Sequence, residues 1–98
     1  MTDAPAPVES IPEAAQEAFD AGAREFVQGN TSAAIEHFTR SLAASPDFDS
    51  ALYLLALANL RTGARDDALQ QLDRVAERSA NAMLRDMARG KLASLASA

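Results

Sequence analysis

The strongest constraint on this chain is that it repeats itself. Displaced by 34 positions, the sequence falls on its own pattern: Ala18 meets Leu52, Phe19 meets Tyr53, Phe26 meets Leu60, Gly29 meets Gly63, Ala34 meets Ala68, Ile35 meets Leu69 and Leu42 meets Ala76. A small residue recurs at the same interval, as Gly22, Ala56 and Gly90. Glycine inside a helix costs about 1 kcal/mol relative to alanine. A small residue kept at one register position therefore marks a place where two helices approach closely. A period of this length implies an array of units that bury apolar faces against one another, because one unit alone cannot form a core.

Local signals divide each period into two helices. Ser10 followed by Glu13, with Pro12 in the first turn where a missing N–H costs nothing, reads as a capping box and predicts a first helix from about Ile11 to Gln28. Gly29-Asn30 is a stop and turn, and either Asn30 or Thr31 can cap the next helix, about Ser32 to Ala44. Ala34, Ile35, Phe38 and Leu42 of that helix share one face. Pro46-Asp47 break and restart the chain. A third helix runs through Ala51 to Leu60 and stops at Thr62-Gly63, a fourth spans about Arg65 to Arg78, and a fifth covers about Ala82 to Ala96. No stretch keeps a two-residue alternation and β-branched residues are scarce, so the expected class is all-α. Residues 1–10 mix proline, alanine and acids without apolar periodicity. They are expected to form a flexible tail before a single domain over 11–98.

Composition narrows the chemistry. Ninety-eight residues, 48% of them hydrophobic, suffice for one core and no more. There is no cysteine, which removes disulfides, thiolate metal sites and thiol nucleophiles. The formal charge is −5 and eight of the nine basic residues are arginine, the wrong overall sign for a protein held on nucleic acid or anionic lipid. The amino terminus has neither a basic start nor an apolar stretch, so it does not read as a secretory signal, and a cytoplasmic location is the expectation. The third helix is almost wholly apolar from Ala51 to Leu60, but a bilayer needs about 20 such residues. A helix apolar all round is one covered all round.

The period and its side chains resemble the tetratricopeptide-repeat (TPR) family, whose pattern is W-x₂-L-G-x₂-Y…A-x₃-F…P. In a first repeat, about 15–48, the matches are Ala18, Ala21-Gly22, Ala34, Phe38 and Pro46. In a second, about 49–82, they are Leu52, Leu55-Ala56, Ala68 and Leu72. Residues of about 83–97 resemble the capping helix of that family. Departures are the absence of tryptophan, Glu25 and Asn59 at the tyrosine position, and Ala80 where the first repeat has Pro46, which predicts a looser turn before the last helix. The resemblance implies a TPR-like helical-hairpin solenoid of about five helices that binds other proteins. It places Phe19, Ala23 and Phe26 of the first helix, Tyr53, Leu57 and Leu60 of the third, and Met87 and Lys91 of the last in a concave, apolar groove. Some family members clamp a carboxyl-terminal acidic peptide with lysine and asparagine. Phe19, Ala23 and Leu54 stand at those places here, which points instead to an apolar helix or extended peptide.

Groups for catalysis do not converge. The one histidine, His37, sits beside Glu36 and is read as pointing away from the hairpin core. The acid pairs Asp47/Asp49 and Asp66/Asp67 lie at helix starts, where carboxylates favour the dipole, without further ligands at metal spacing. The glycines are isolated, so no phosphate loop exists. No enzymatic activity, metal or cofactor is expected. Arg74, Arg78, Arg85 and Arg89 recur at four-residue spacing within the last two helices, as a candidate basic strip opposite an acidic amino-terminal stretch. The functional expectation is a non-enzymatic interaction module that takes an apolar peptide or helix of another protein in its groove. The alternative is a self-assembling structural unit whose groove or ends are covered by other copies. Neither nucleic acid nor membrane is an expected partner. Because residues 1–10 carry too little apolar surface to offset the entropy of ordering them, their deletion is expected to leave the melting temperature nearly unchanged.

Overall fold

The structure is a computed structural model and describes residues 11–97, so the expected flexible tail lies outside the described residues. Five helices follow in order: α1 (Glu13–Val27), α2 (Thr31–Ala44), α3 (Asp49–Thr62), α4 (Arg65–Arg78) and α5 (Ala82–Ser97). They pack as the hairpins α1/α2 and α3/α4, with α5 laid against α4 and α3. The described residues contain no strand.

The helix ends show the period in the backbone. At the end of α1, Gly29 N–H donates to the Phe26 carbonyl and Asn30 N–H to the Glu25 carbonyl; at the end of α3, Gly63 N–H donates to Leu60 and Ala64 N–H to Asn59. Both sets form the same six-to-one and five-to-two closure, 34 residues apart. Gly29 and Gly63 both take φ = 88°, the left-handed conformation such a closure requires. The start of α1 differs from expectation. It begins at Glu13 with Pro12 as N-cap and no side-chain capping bond, and Ser10 lies outside the described residues. Asn30 makes no side-chain capping bond to α2 either; its Nδ2 donates to Glu25 Oε1 at 2.7 Å.

Inside the first hairpin, spacing is set by a side chain standing where a Cβ would be. A Cβ at Gly22 would lie 2.7 Å from Cδ1 and Cε1 of Phe38, and 3.1 Å from the Cβ of His37. Phe38 is fully buried, and its ring is approached by Phe19 at 6.0 Å and Phe26 at 6.4 Å between centroids. His37 is half-buried, and its Cβ lies close to Gly22, whose missing side chain lets α2 approach that far. At the same contact, the buried Ser41 donates its hydroxyl to the Ala15 carbonyl at 2.8 Å, a bond worth about 1 kcal/mol net. In the second hairpin the equivalent small residue, Ala56, is fully buried among Leu52, Tyr53, Ala68 and Leu72.

Helix α3 touches all four other helices, which is why nearly every one of its faces is apolar. Ala51, Leu52, Tyr53, Leu55, Ala56 and Ala58 are buried in it. Phe48, just before α3, closes the core at the α2–α3 turn; it is buried against Ala15 and Ala51, with its ring centroid 4.9 Å from that of Phe19. The turn before α5, where Ala80 replaces proline, is tied by polar contacts. Ser79 Oγ donates to Asp49 Oδ2 at 2.7 Å, Asn81 Oδ1 accepts from Leu84 N–H at 3.2 Å, and Arg85 Nη1 donates to the Ser79 carbonyl at 2.8 Å. These bonds oppose the loosening expected from the lost ring.

Gly90, the third small residue of the series, behaves differently, since a Cβ there would meet nothing within 4 Å. The contrast yields a test of sign. Alanine at Gly90 is expected to stabilise a dilute sample by up to about 1 kcal/mol through helix propensity. Alanine at Gly22 is expected to destabilise, by about 1–3 kcal/mol, because the Phe38 ring must move. Denaturant unfolding of the two variants measures both, and a stabilised Gly22→Ala would show that the close approach does not set the hairpin.

Candidate protein-binding surface

The first helices of the hairpins, α1 and α3, lie side by side, and α5 touches α3 on its other flank. Each contributes residues of the expected groove. On α1, Phe19 and Phe26 are half-buried and rest on the core formed by Ala34, Phe38 and Leu55. Ala23 is half-buried and lines a shallow hollow of about 310 Å³ with Arg24, Val27 and Gln28. On α3, Tyr53 is buried, 8% exposed, within the core shared with α4 and α5, while Leu57 and Leu60 are half-buried against that core. On α5, Lys91 is half-buried and Met87 is 43% exposed.

These eight residues therefore fall into grades. Tyr53 is packed deeply enough that its ring works chiefly as core. Phe19 and Phe26 divide their surface between core and solvent. Ala23, Leu57, Leu60, Met87 and Lys91 present surface to whatever lies outside. Sequence reasoning did not single out Val27, which is 84% exposed and one turn beyond Ala23. An exposed β-branched residue at that spacing extends the hollow on α1.

Arg61 was also not singled out, and it joins the two helices. Its guanidinium carbon lies 3.7 Å above the Phe26 ring, and its Nη1 donates to the Phe26 carbonyl at 2.9 Å. The stacking contributes about 0.5–1 kcal/mol at an exposed site, and the hydrogen bond is a second one to a carbonyl that already accepts the Gly29 N–H at the end of α1. The repeat register could have found it, because Phe26 pairs with Leu60 across one period, and the neighbour of Leu60 is thereby brought to α1. The Phe26 ring thus carries a cation on its face at the end of α1.

The four arginines of the basic strip are divided between two surroundings. Arg74 and Arg78 are exposed and border an open cavity of about 590 Å³ together with Asp47 and Asp49, over Ile11, Leu52 and Leu84. Arg85 is committed to the Ser79 carbonyl at 2.8 Å, and Arg89 lies 3.9 Å from Asp86 on the outer side of α5. Among the described residues no three His, Cys, Asp or Glu side chains are grouped to hold a metal ion. No described helix is long and apolar enough to cross a membrane.

If the Arg61 stack orders the α1–α3 junction, Arg61→Ala is expected to destabilise by about 1–2 kcal/mol, and Arg61→Lys to recover less than half of that. Thermal unfolding of the two variants distinguishes this from a solvated surface arginine, for which both changes would be neutral.

Comparison with known proteins gives one match. The sequence model of the tetratricopeptide repeat matches residues 25–92, which is more than half of the chain. No curated protein and no solved structure matches.

Proposed function

We propose that this chain, which belongs to the tetratricopeptide-repeat family, holds an apolar segment of a partner protein, as a helix or an extended peptide, across the α1/α3/α5 face. Repeats of this family are non-catalytic units of protein–protein interaction. The observation that carries the finer reading is the succession of incompletely covered apolar side chains on that face: Ala23 and Val27 on α1, Leu57 and Leu60 on α3, and Met87 on α5. Recognition rests on burying these side chains, with Arg61 and Lys91 supplying polar contacts at the edges. Covering three or four such side chains at about 1.5–3 kcal/mol each supports micromolar affinity once the entropy of association is subtracted. Phe19 and Phe26 hold the floor in place from below, because their rings also pack on Phe38.

Selection of random peptides on the immobilised chain tests this reading. Sequences with apolar residues at helical or alternating spacing are expected to be enriched. Their affinity is expected to fall at least tenfold on the double variant Ala23→Gln with Leu57→Gln, whose helix content by circular dichroism should equal that of the parent. Enrichment of acidic peptides that bind the double variant as tightly as the parent would overturn the apolar groove and direct attention to Arg74 and Arg78.

A further inference from the structure

The two ends of the helical stack are finished differently. On α1, the side turned away from α2 and α3 carries Glu13, Glu17, Asp20 and Arg24, all exposed, a mostly charged and solvated surface with Val27 open at its edge beside Arg24. On α5, Leu84, Ala88, Leu92 and Leu95 face the core. Its opposite side, at helical spacing, carries Met83, Asp86, Met87, Gly90 and Ala93, also all exposed. Met83 is 71% exposed, and Met83, Met87 and Val27 are the large apolar side chains left most open among the described residues. The α5 face also contains the third register position of the small-residue series. At the first of these positions Phe38 comes within 2.7 Å of where a Cβ would stand; at Gly90 there is open space out to 4 Å.

We propose that this face of α5 packs on the same face of a second copy, the two helices running antiparallel about a two-fold axis that passes between residues 87 and 88. Charge complementarity selects the occupant. The charged groups bordering the seam are Asp86 and, one turn on, Arg89, whose pairing within the chain is long at 3.9 Å and open to solvent, with the side chains 78% and 62% exposed respectively. An exposed pair of this kind contributes little by itself. In the antiparallel arrangement Asp86 of each copy comes level with Arg89 of the other, so one short motif forms two ion pairs across the axis. A parallel pair would set Asp86 against Asp86 and Arg89 against Arg89.

The same register fits the apolar groups. Met83 of each copy comes level with the Gly90–Ala93 stretch of the other, where the missing side chain at Gly90 leaves a notch for the thioether. A closed pair of this symmetry covers both open ends at once and does not propagate into fibres. A single crossing of two 16-residue helices is a small interface, so association is expected to be weak and to depend on concentration.

Sedimentation equilibrium of the full chain, in a concentration series reaching the millimolar range, reads the outcome. The parent is expected to move from monomer towards dimer. Asp86→Arg and Arg89→Asp are each expected to remain monomeric at the highest concentration, because each places like charges across the axis. An equimolar mixture of the two, and the double exchange Asp86→Arg with Arg89→Asp in one chain, are both expected to recover the dimer. A parent that stays monomeric throughout would overturn the proposal. So would single exchanges that associate as the parent does, which would place self-association on another surface, or a mixture that fails to recover it. Met87 borders both surfaces, but Asp86 and Arg89 belong to neither the peptide-binding face nor the pair exchanged in its test, so the two tests are read separately.

Discussion

The architecture depends on how close α2 can come to α1, and that distance is fixed by the Phe38 ring occupying the space a side chain at Gly22 would need. An aromatic residue delivers much of a small core's apolar burial, but only if something opposite it is absent. With Phe38 seated, Phe19 and Phe26 can flank it from α1 and Phe48 can close the far side of Phe19. The four rings form a continuous wall against which α3 is laid. Ala56 and the buried Leu72 perform the same task one period later with an aliphatic side chain in place of the ring. The second hairpin can therefore use a residue one methyl larger than glycine.

Helix α3 carries the consequences of that spacing. It is enclosed by its hairpin partner α4, by α2 of the preceding hairpin and by the last helix, and its composition follows from its position: between Asp49 at its start and Arg61, which emerges where α3 passes the end of α1, no face of it carries a charge. The side of α3 between α1 and α5 is the one left partly open, because neither neighbour is a hairpin partner and each meets it along a narrower strip. Leu57 and Leu60 lie half-buried there. The candidate binding surface is thus a by-product of stacking hairpins, in which the first helices meet less fully than each meets its own second helix.

Much of this was legible in the sequence. The 34-residue period gave the number and order of the helices, and the boundaries of α4 were read correctly because Gly63 stops α3 and Asp66 and Asp67 favour the start of the next helix. The start of α1 was read two residues early, since Pro12 resembles a first-turn proline but stands as the cap itself. Phe48 went unread as core because it lies in a turn, where helical periodicity has nothing to say. The candidate surface was legible as a register and less so as a surface. The pattern identifies which residues share a side of a helix, but not how deeply neighbours bury them, so Tyr53 and Leu57 looked alike and differ in burial. Partners at long sequence separation, such as Arg61 on Phe26 and Arg85 on the Ser79 carbonyl, depend on the turns between hairpins and not on spacing within one helix.

The central claim is that an apolar segment lies against the first helices of the repeats and not against their second helices. Methyl-resolved NMR of the chain, titrated with the tightest peptide from a random-library selection, locates that segment directly. The account predicts shifts and intermolecular contacts concentrated on Ala23, Val27, Leu57, Leu60 and Met87, while the exposed Ala43 and Ala44 at the end of α2 stay unchanged. Perturbations centred on α2 and α4, with the α1/α3/α5 methyls undisturbed, would contradict it.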